Sequence, residues 1–223
     1  MEASRTLLAH HFRDLDQQRE AQLAGMWIFL ATEVLVFGVL FTGYTAYRTI
    51  YPEAFAAASQ HLNLFIGGIN TIVLLSSSLT MVLAVYATRA GRRRMQVACL
   101  VLTALLGTLF MVFKAAEYTI DYYDELVPGM KFNQQEWLAQ RVNPREVQLF
   151  LMFYYIMTGL HALHLSIGIG LIGVQAVLAW RGRFSPANYM PVDLAGLYWH
   201  FVDVIWIFLL PLLYLVGTRT SLA

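Results

Sequence analysis

Five long apolar stretches alternate with short polar or basic segments along the chain. They predict helices over about 22–47, 62–88, 95–118, 147–180 and 195–217, each at or above the roughly 20 residues a bilayer-spanning helix needs. Tyr51-Pro52 closes the first stretch, and the arginines Arg89, Arg92, Arg93 and Arg94 follow the second. The fourth is longer than a bilayer requires, so it should tilt or protrude. Between the third and fourth, residues 119–146 read as a long loop, too acidic and too broken by Pro128, Gly129 and Pro144 to span. Residues 1–21 form a polar, charged lead with room for a surface helix, and 218–223 a short tail. The expected fold class is therefore all-α: a polytopic membrane bundle of five transmembrane helices in one domain, without internal repeats.

Polar residues interrupt these stretches. The last one, LYWHFVDVIWIFLLPLLYLVG, carries His200 and Asp203, whose i, i+3 spacing puts them on one helical face. Ionisable groups facing lipid are costly, so both should point into protein. Partners are on offer in the other four stretches: Glu33, Asn70, Lys114 with Glu117, and His161 with His164. The expectation is a bundle that buries one polar seam around its last helix. At about 1.5 Å per residue, Glu33 and Asp203 fall at similar depths beyond Trp27 and Trp199, while Lys114 and Glu117 fall near the opposite surface. Groups so widely spread argue against one compact catalytic centre.

For most of these groups the structural reading outweighs the chemical one. A metal site needs three or four ligands, and GLHALH supplies only His161 and His164, with no HExxH or Glu-x-x-His companion. Interhelical hydrogen bonding explains them more simply, and a haem held between either of them and His200 would bridge poorly matched depths. Asn70 reads the same way, beside Gly67-Gly68, which allow close helix approach. The run Ser76–Ser78 has no histidine near it in sequence to act as a base, so it reads as small-residue packing. Glu33 divides evenly between a carboxyl hydrogen-bonded to a neighbouring helix and one that handles protons or contacts lipid. Lys114 and Glu117, three apart, should make a partly buried contact near the surface.

Composition agrees. The chain is 58% hydrophobic and 13% charged, against about 25% charged in soluble domains. A net charge of +1 gives no reason to expect nucleic acid as a partner. The single cysteine, Cys99, lies in an apolar stretch and excludes a disulfide framework or a Cys-based metal site. The first apolar stretch is too long for a signal peptide and should stay as an anchor. With the N-terminus inside, Arg5, Arg13, Arg19, Arg89, Arg92, Arg93, Arg94, Arg181 and Arg183 fall on the inner side. Arg48, Lys131, Arg141, Arg145 and Arg219 then fall outside, which favours N-terminus inside and C-terminus outside. Trp27, Trp180 and Trp199 would then mark the inner interface, and Tyr44, Tyr118, Tyr154 and Tyr214 the outer.

The segments MWIFLATEVLVFGVLF, INTIVLLSSSLTM, LLGTLFMVFKAAEY, FYYIMTGLHALHLSIGIGLI and LYWHFVDVIWIFLLPLLY resemble, in order, successive helices of subunit III of the haem–copper respiratory oxidases. The resemblance covers nearly all of residues 25–217 and is closest to the short, five-helix form. It implies a subunit of a terminal oxidase with no catalytic centre and no bound cofactor of its own. Haem and copper would lie in the partner subunits I and II, in a bacterial inner membrane. The subunit would sustain aerobic electron transport and proton pumping through stability, proton uptake and access for lipid or oxygen, with a structural phospholipid among its ligands. The resemblance places Glu33 on the family's intramembrane glutamate, His161 and His164 on its paired histidines, His200 and Asp203 on the YWHFVD pair, and Glu117 on a helix-ending glutamate. Lys114 departs from the usual uncharged polar residue, and the loop 119–146 is unusually long. Subunit III of a quinol oxidase and the accessory homologue of nitric oxide reductases are the nearest alternatives. From other classes, a stand-alone proton-coupled transporter lacks the expected internal symmetry and broken half-helices, and a haem-bearing cytochrome would show a visible spectrum.

Overall fold

The computed structural model describes residues 12–217. His10, His11, Arg5, Arg219 and the tail 218–223 lie outside the described residues, as does most of the lead. Among the described residues, seven helices and one short hairpin follow one another: α1 (Leu15–Ile50), α2 (Pro52–Gln60), α3 (Leu64–Arg89), α4 (Arg93–Tyr123), β1 (Leu126–Val127), β2 (Lys131–Phe132), α5 (Gln134–Ala139), α6 (Pro144–Trp180) and α7 (Met190–Tyr214). Five of these, α1, α3, α4, α6 and α7, are long and apolar enough to cross a membrane.

Local chemistry sets the boundaries. The Asp14, Asn63, Asn133 and Asn143 side chains accept backbone N–H groups at the starts of α1, α3, α5 and α6. Pro52 and Pro144 stand in the first turns of α2 and α6, where no N–H partner is needed. Both α3 and α6 stop at a glycine with positive φ, Gly91 at +69° and Gly182 at +75°. The next residue's N–H then folds back onto the helix, Arg92 to the Ala87 carbonyl and Arg183 to that of Leu178.

The structure differs from the sequence expectation in several places: α2 is a helix where none is expected, α7 begins at Met190 rather than at 195, and three further differences concern α1, α4 and the loop after it. Helix α1 begins at Leu15, so the last third of the supposed lead belongs to the spanning helix. Helix α4 runs to Tyr123, carrying Asp121 into the helix. The loop after it is also partly structured, as an antiparallel hairpin pairing Leu126 with Phe132, followed by α5. Trp137 of α5 is buried, with its ring 4.6 Å from that of His61 beyond α2. Trp137→Ala should loosen this lobe alone. Limited proteolysis should then cut between 125 and 143 much faster than in the parent, while the spanning helices stay protected.

The core lies where α3, α4, α6 and α7 pack together, with α7 in the middle. Helix α1 packs mainly against α7 and α6, with a smaller contact to α2, and little of its length is buried. Trp199, expected at a membrane interface, is fully buried and gives its indole N–H to Ser77 Oγ at 2.8 Å. Tyr44, Tyr154 and Tyr214 are buried as well, because each hydroxyl finds an internal partner. Trp27 and Trp180 are exposed.

Candidate functional site

The polar residues do not form one seam. They fall into separate groups. His200 and Asp203 meet none of the residues offered by the other stretches: His200 Nδ1 lies 2.8 Å from Ser78 Oγ on α3. Asp203 is buried, and neither of its carboxyl oxygens has a well-aligned hydrogen-bond partner among the described residues, with the Ser78 hydroxyl in looser contact. The serine run thus has a histidine beside it after all, from 122 positions away.

The largest group lies toward the hairpin end of α4. Lys114, Glu117 and Asp121 share one face at i, i+3 and i+7, and all three are buried. The Lys114 ammonium donates to Glu117 Oε2 at 3.1 Å, to the Tyr154 hydroxyl at 3.0 Å and to the Tyr214 hydroxyl at 2.8 Å. Its three donors are all used. The Tyr214 hydroxyl donates onward to Glu117 Oε1 at 2.5 Å, and the Tyr154 hydroxyl has Glu117 and Asp121 oxygens within 3.2 Å. Four rings, those of Tyr118, Tyr154, Trp206 and Tyr214, lie 4.6–5.5 Å from the ammonium. A buried charge is tolerated only when paired and hydrogen-bonded, and Lys114 is both.

Glu33 and His164 form the second group. Glu33 Oε2 stands 2.9 Å from His164 Nε2, with side chains 17% and 12% exposed. His164 Nδ1 stands 2.8 Å from the Leu160 carbonyl, which can only accept, so Nδ1 carries a hydrogen. The short Glu33–Nε2 contact then holds one proton between carboxyl and imidazole, whichever of the two carries it. The Tyr198 hydroxyl braces this turn of α6 by donating to the His164 carbonyl.

His161 and His164 take different neighbours. His161 is buried between the rings of Phe110 and Trp206, and neither of its nitrogens has a hydrogen-bond partner among the described residues. The same holds for both amide atoms of Asn70. The interhelical hydrogen bonds expected for these two side chains are therefore not formed. Among the described residues no three His, Cys, Asp or Glu side chains converge as metal ligands would. Asp121 and Tyr155, whose hydroxyl faces Asp121, escaped the sequence reading, while Tyr154 and Tyr214 read there only as interface residues and Ser78 only as packing. Asp121 could have been found by continuing the Lys114–Glu117 face one further turn.

Fold and site together define a polytopic membrane protein with paired polar groups inside its bundle. A family profile described as Cytochrome c oxidase subunit III matches residues 5–124 and 146–218. The chain belongs to that family, as a subunit III of the haem–copper oxidases, and so to a complex with other oxidase subunits. It is 33% identical over 201 residues to the cytochrome c oxidase subunit 3 of Synechocystis, covering 88% of this chain and 76% of that one. The cytochrome c oxidase subunit 3 of Thermostichus vulcanus is also 33% identical, with 87% of each chain covered. A probable quinol oxidase subunit 3 of Staphylococcus haemolyticus is 28% identical over 94% of this chain and 98% of its own. The stretch that the family profile leaves unmatched, 125–145, holds the hairpin and α5.

Proposed function

We propose that this chain is the non-redox subunit III of a bacterial terminal oxidase, packed against subunit I, with subunit II in the same inner-membrane complex. In this reading it carries no haem or copper. It sustains proton uptake and guards the oxidase against inactivation during turnover. The observation that carries the reading is the Glu33–His164 pair, which holds one exchangeable proton where the thinly covered α1 meets the bundle. A carboxyl and an imidazole in contact can pass a proton with little rearrangement. Glu33→Gln keeps a hydrogen-bonding amide beside His164 Nε2 and removes the exchangeable carboxyl proton. The complex should assemble normally, start at the parental rate and lose activity sooner during sustained turnover. Loss of partner subunits from the variant in detergent would make Glu33 a structural residue instead.

The high coverage of the staphylococcal relative favours a second reading, subunit III of a quinol oxidase. Oxidation of reduced cytochrome c or of a quinol by the purified complex separates the two. In both readings the arginine-rich end, where α3 and α6 stop, faces the cytoplasm. A periplasm-dependent reporter fused after Ala223 should be active. Activity only from a cytoplasm-dependent reporter would reverse the orientation.

A further inference from the structure

Five arginines crowd the end of the bundle where α3 turns into α4 and α6 stops: Arg92, Arg93, Arg94, Arg181 and Arg183. Arg89 nearby is paired with Asp193, and Arg19 with Asp16. None of the five has a carboxylate within ion-pair distance among the described residues. Two of them, Arg93 and Arg94, line a cleft of about 520 Å³ between α4 and α6, together with Val97, Ala98 and Trp180.

This cleft is polar at its mouth and apolar along its wall. Arg93 Nε donates to the Ala179 carbonyl at 3.1 Å, which pins the guanidinium against the last turn of α6. Its position is therefore set before any ligand arrives, and the terminal nitrogens keep donors suited to a phosphate. Gly182, lacking a side chain, leaves room beside it: a Cβ there would stand 3.4 Å from Nη1. Away from the arginines, the wall runs along Val97 and Ala98 of α4, flanked by the exposed ring of Trp180, and one turn beyond Val97 the exposed Val101 continues the same helix face outside the cleft. From Arg93 to Val101 the helix rises about 12 Å into the apolar zone. Fixed cations above a lipid-facing apolar strip complement an anionic headgroup above its acyl chain. A soluble anion would have no use for the strip.

We propose that this cleft binds one anionic phospholipid, with its phosphate on Arg93 and Arg94 and an acyl chain along Val97, Ala98 and Val101 beside Trp180. The inference rests on the chain spanning a bilayer, and not on which subunits surround it. The test uses the purified complex in nanodiscs of phosphatidylcholine containing a little spin-labelled phosphatidylglycerol. The immobilised fraction is compared with that of spin-labelled phosphatidylcholine. The parent should immobilise phosphatidylglycerol selectively. In Arg93→Gln/Arg94→Gln, at about 1 kcal/mol per arginine, that selectivity should fall by about thirtyfold. Arg181→Gln/Arg183→Gln removes equal charge from the same end but outside the cleft, and should change it little. Ala98→Trp fills the cleft with both arginines kept, and should abolish it.

Equal losses in the two double variants would mean diffuse surface attraction and overturn the proposal. So would full selectivity in Ala98→Trp, displacement by millimolar inorganic phosphate, or no preference in the parent. An acidic segment of a neighbouring subunit in the cleft would show as cross-linking from Arg93→Cys to protein with no lipid effect, and would also overturn it. The full chain purified alone gives the same readout, so failure of the oxidase assignment would be distinguishable.

Discussion

Gly107→Val should unfold or misassemble the bundle, because the space a larger side chain needs is already filled by Trp199. The indole of Trp199 is fully buried against Gly107 of α4 and Gly168 of α6. A Cβ on Gly107 would come within 2.6 Å of Trp199 Cη2, and one on Gly168 within 3.0 Å of Cε3. The ring has no easy escape, since its N–H is held by Ser77 Oγ on a third helix. Overpacking of this kind costs about 3 kcal/mol, and helices forced apart lose further contacts. In mild detergent the Gly107→Val chain should show a strongly lowered thermal midpoint or no recoverable monodisperse protein. Trp199→Leu alone should also destabilise, by about 3 kcal/mol. The double variant should nevertheless be more stable than additivity predicts, because the smaller residue relieves the clash. A Gly107→Val chain that melts with the parent would refute this packing.

Lys114→Leu should have the second-largest effect. Among the described residues the ammonium is the one cation beside Glu117, Asp121 and the hydroxyls of Tyr154 and Tyr214, and all its donors are engaged. Removing it leaves two carboxyls and only phenolic donors in a buried site. Breaking such a pair typically costs about 3–5 kcal/mol. Lys114→Gln loses the charge but keeps two N–H donors, so it should be better tolerated, by about 1–2 kcal/mol. Thermal midpoints of the purified chains check the order parent, Gln, Leu. If Leu proved as stable as Gln, hydrogen bonding and charge at this site would carry no weight.

The five spans could be read from hydropathy because each is far longer than noise in a sequence window, and lipid imposes one rule on all of them. Their ends were harder. Asp14 and Gln17 start α1 on polar ground, and the carboxylate of Asp121 looks like a loop residue until its tyrosine partners from α6 are known. The contact between Lys114 and Glu117 follows from spacing within one helix. The pairing of Glu33 with His164, 131 positions apart, does not, because rotation of α1 and α6 about their axes decides which side chains meet. Sequence alone likewise could not separate Trp199 from an interfacial tryptophan, since two distant glycines create its pocket. The hairpin and α5 were invisible to hydropathy because their core is little more than Leu126 and Trp137.

The most direct test of the account is to isolate the full chain through an affinity tag in mild detergent and record the visible spectrum of what comes with it. The account predicts a complex with haem absorbance, in which the haem follows other polypeptides when this chain is stripped away and the separated chain is featureless. A chain that purifies without any haem-bearing partner, or that keeps haem absorbance when alone, would contradict it.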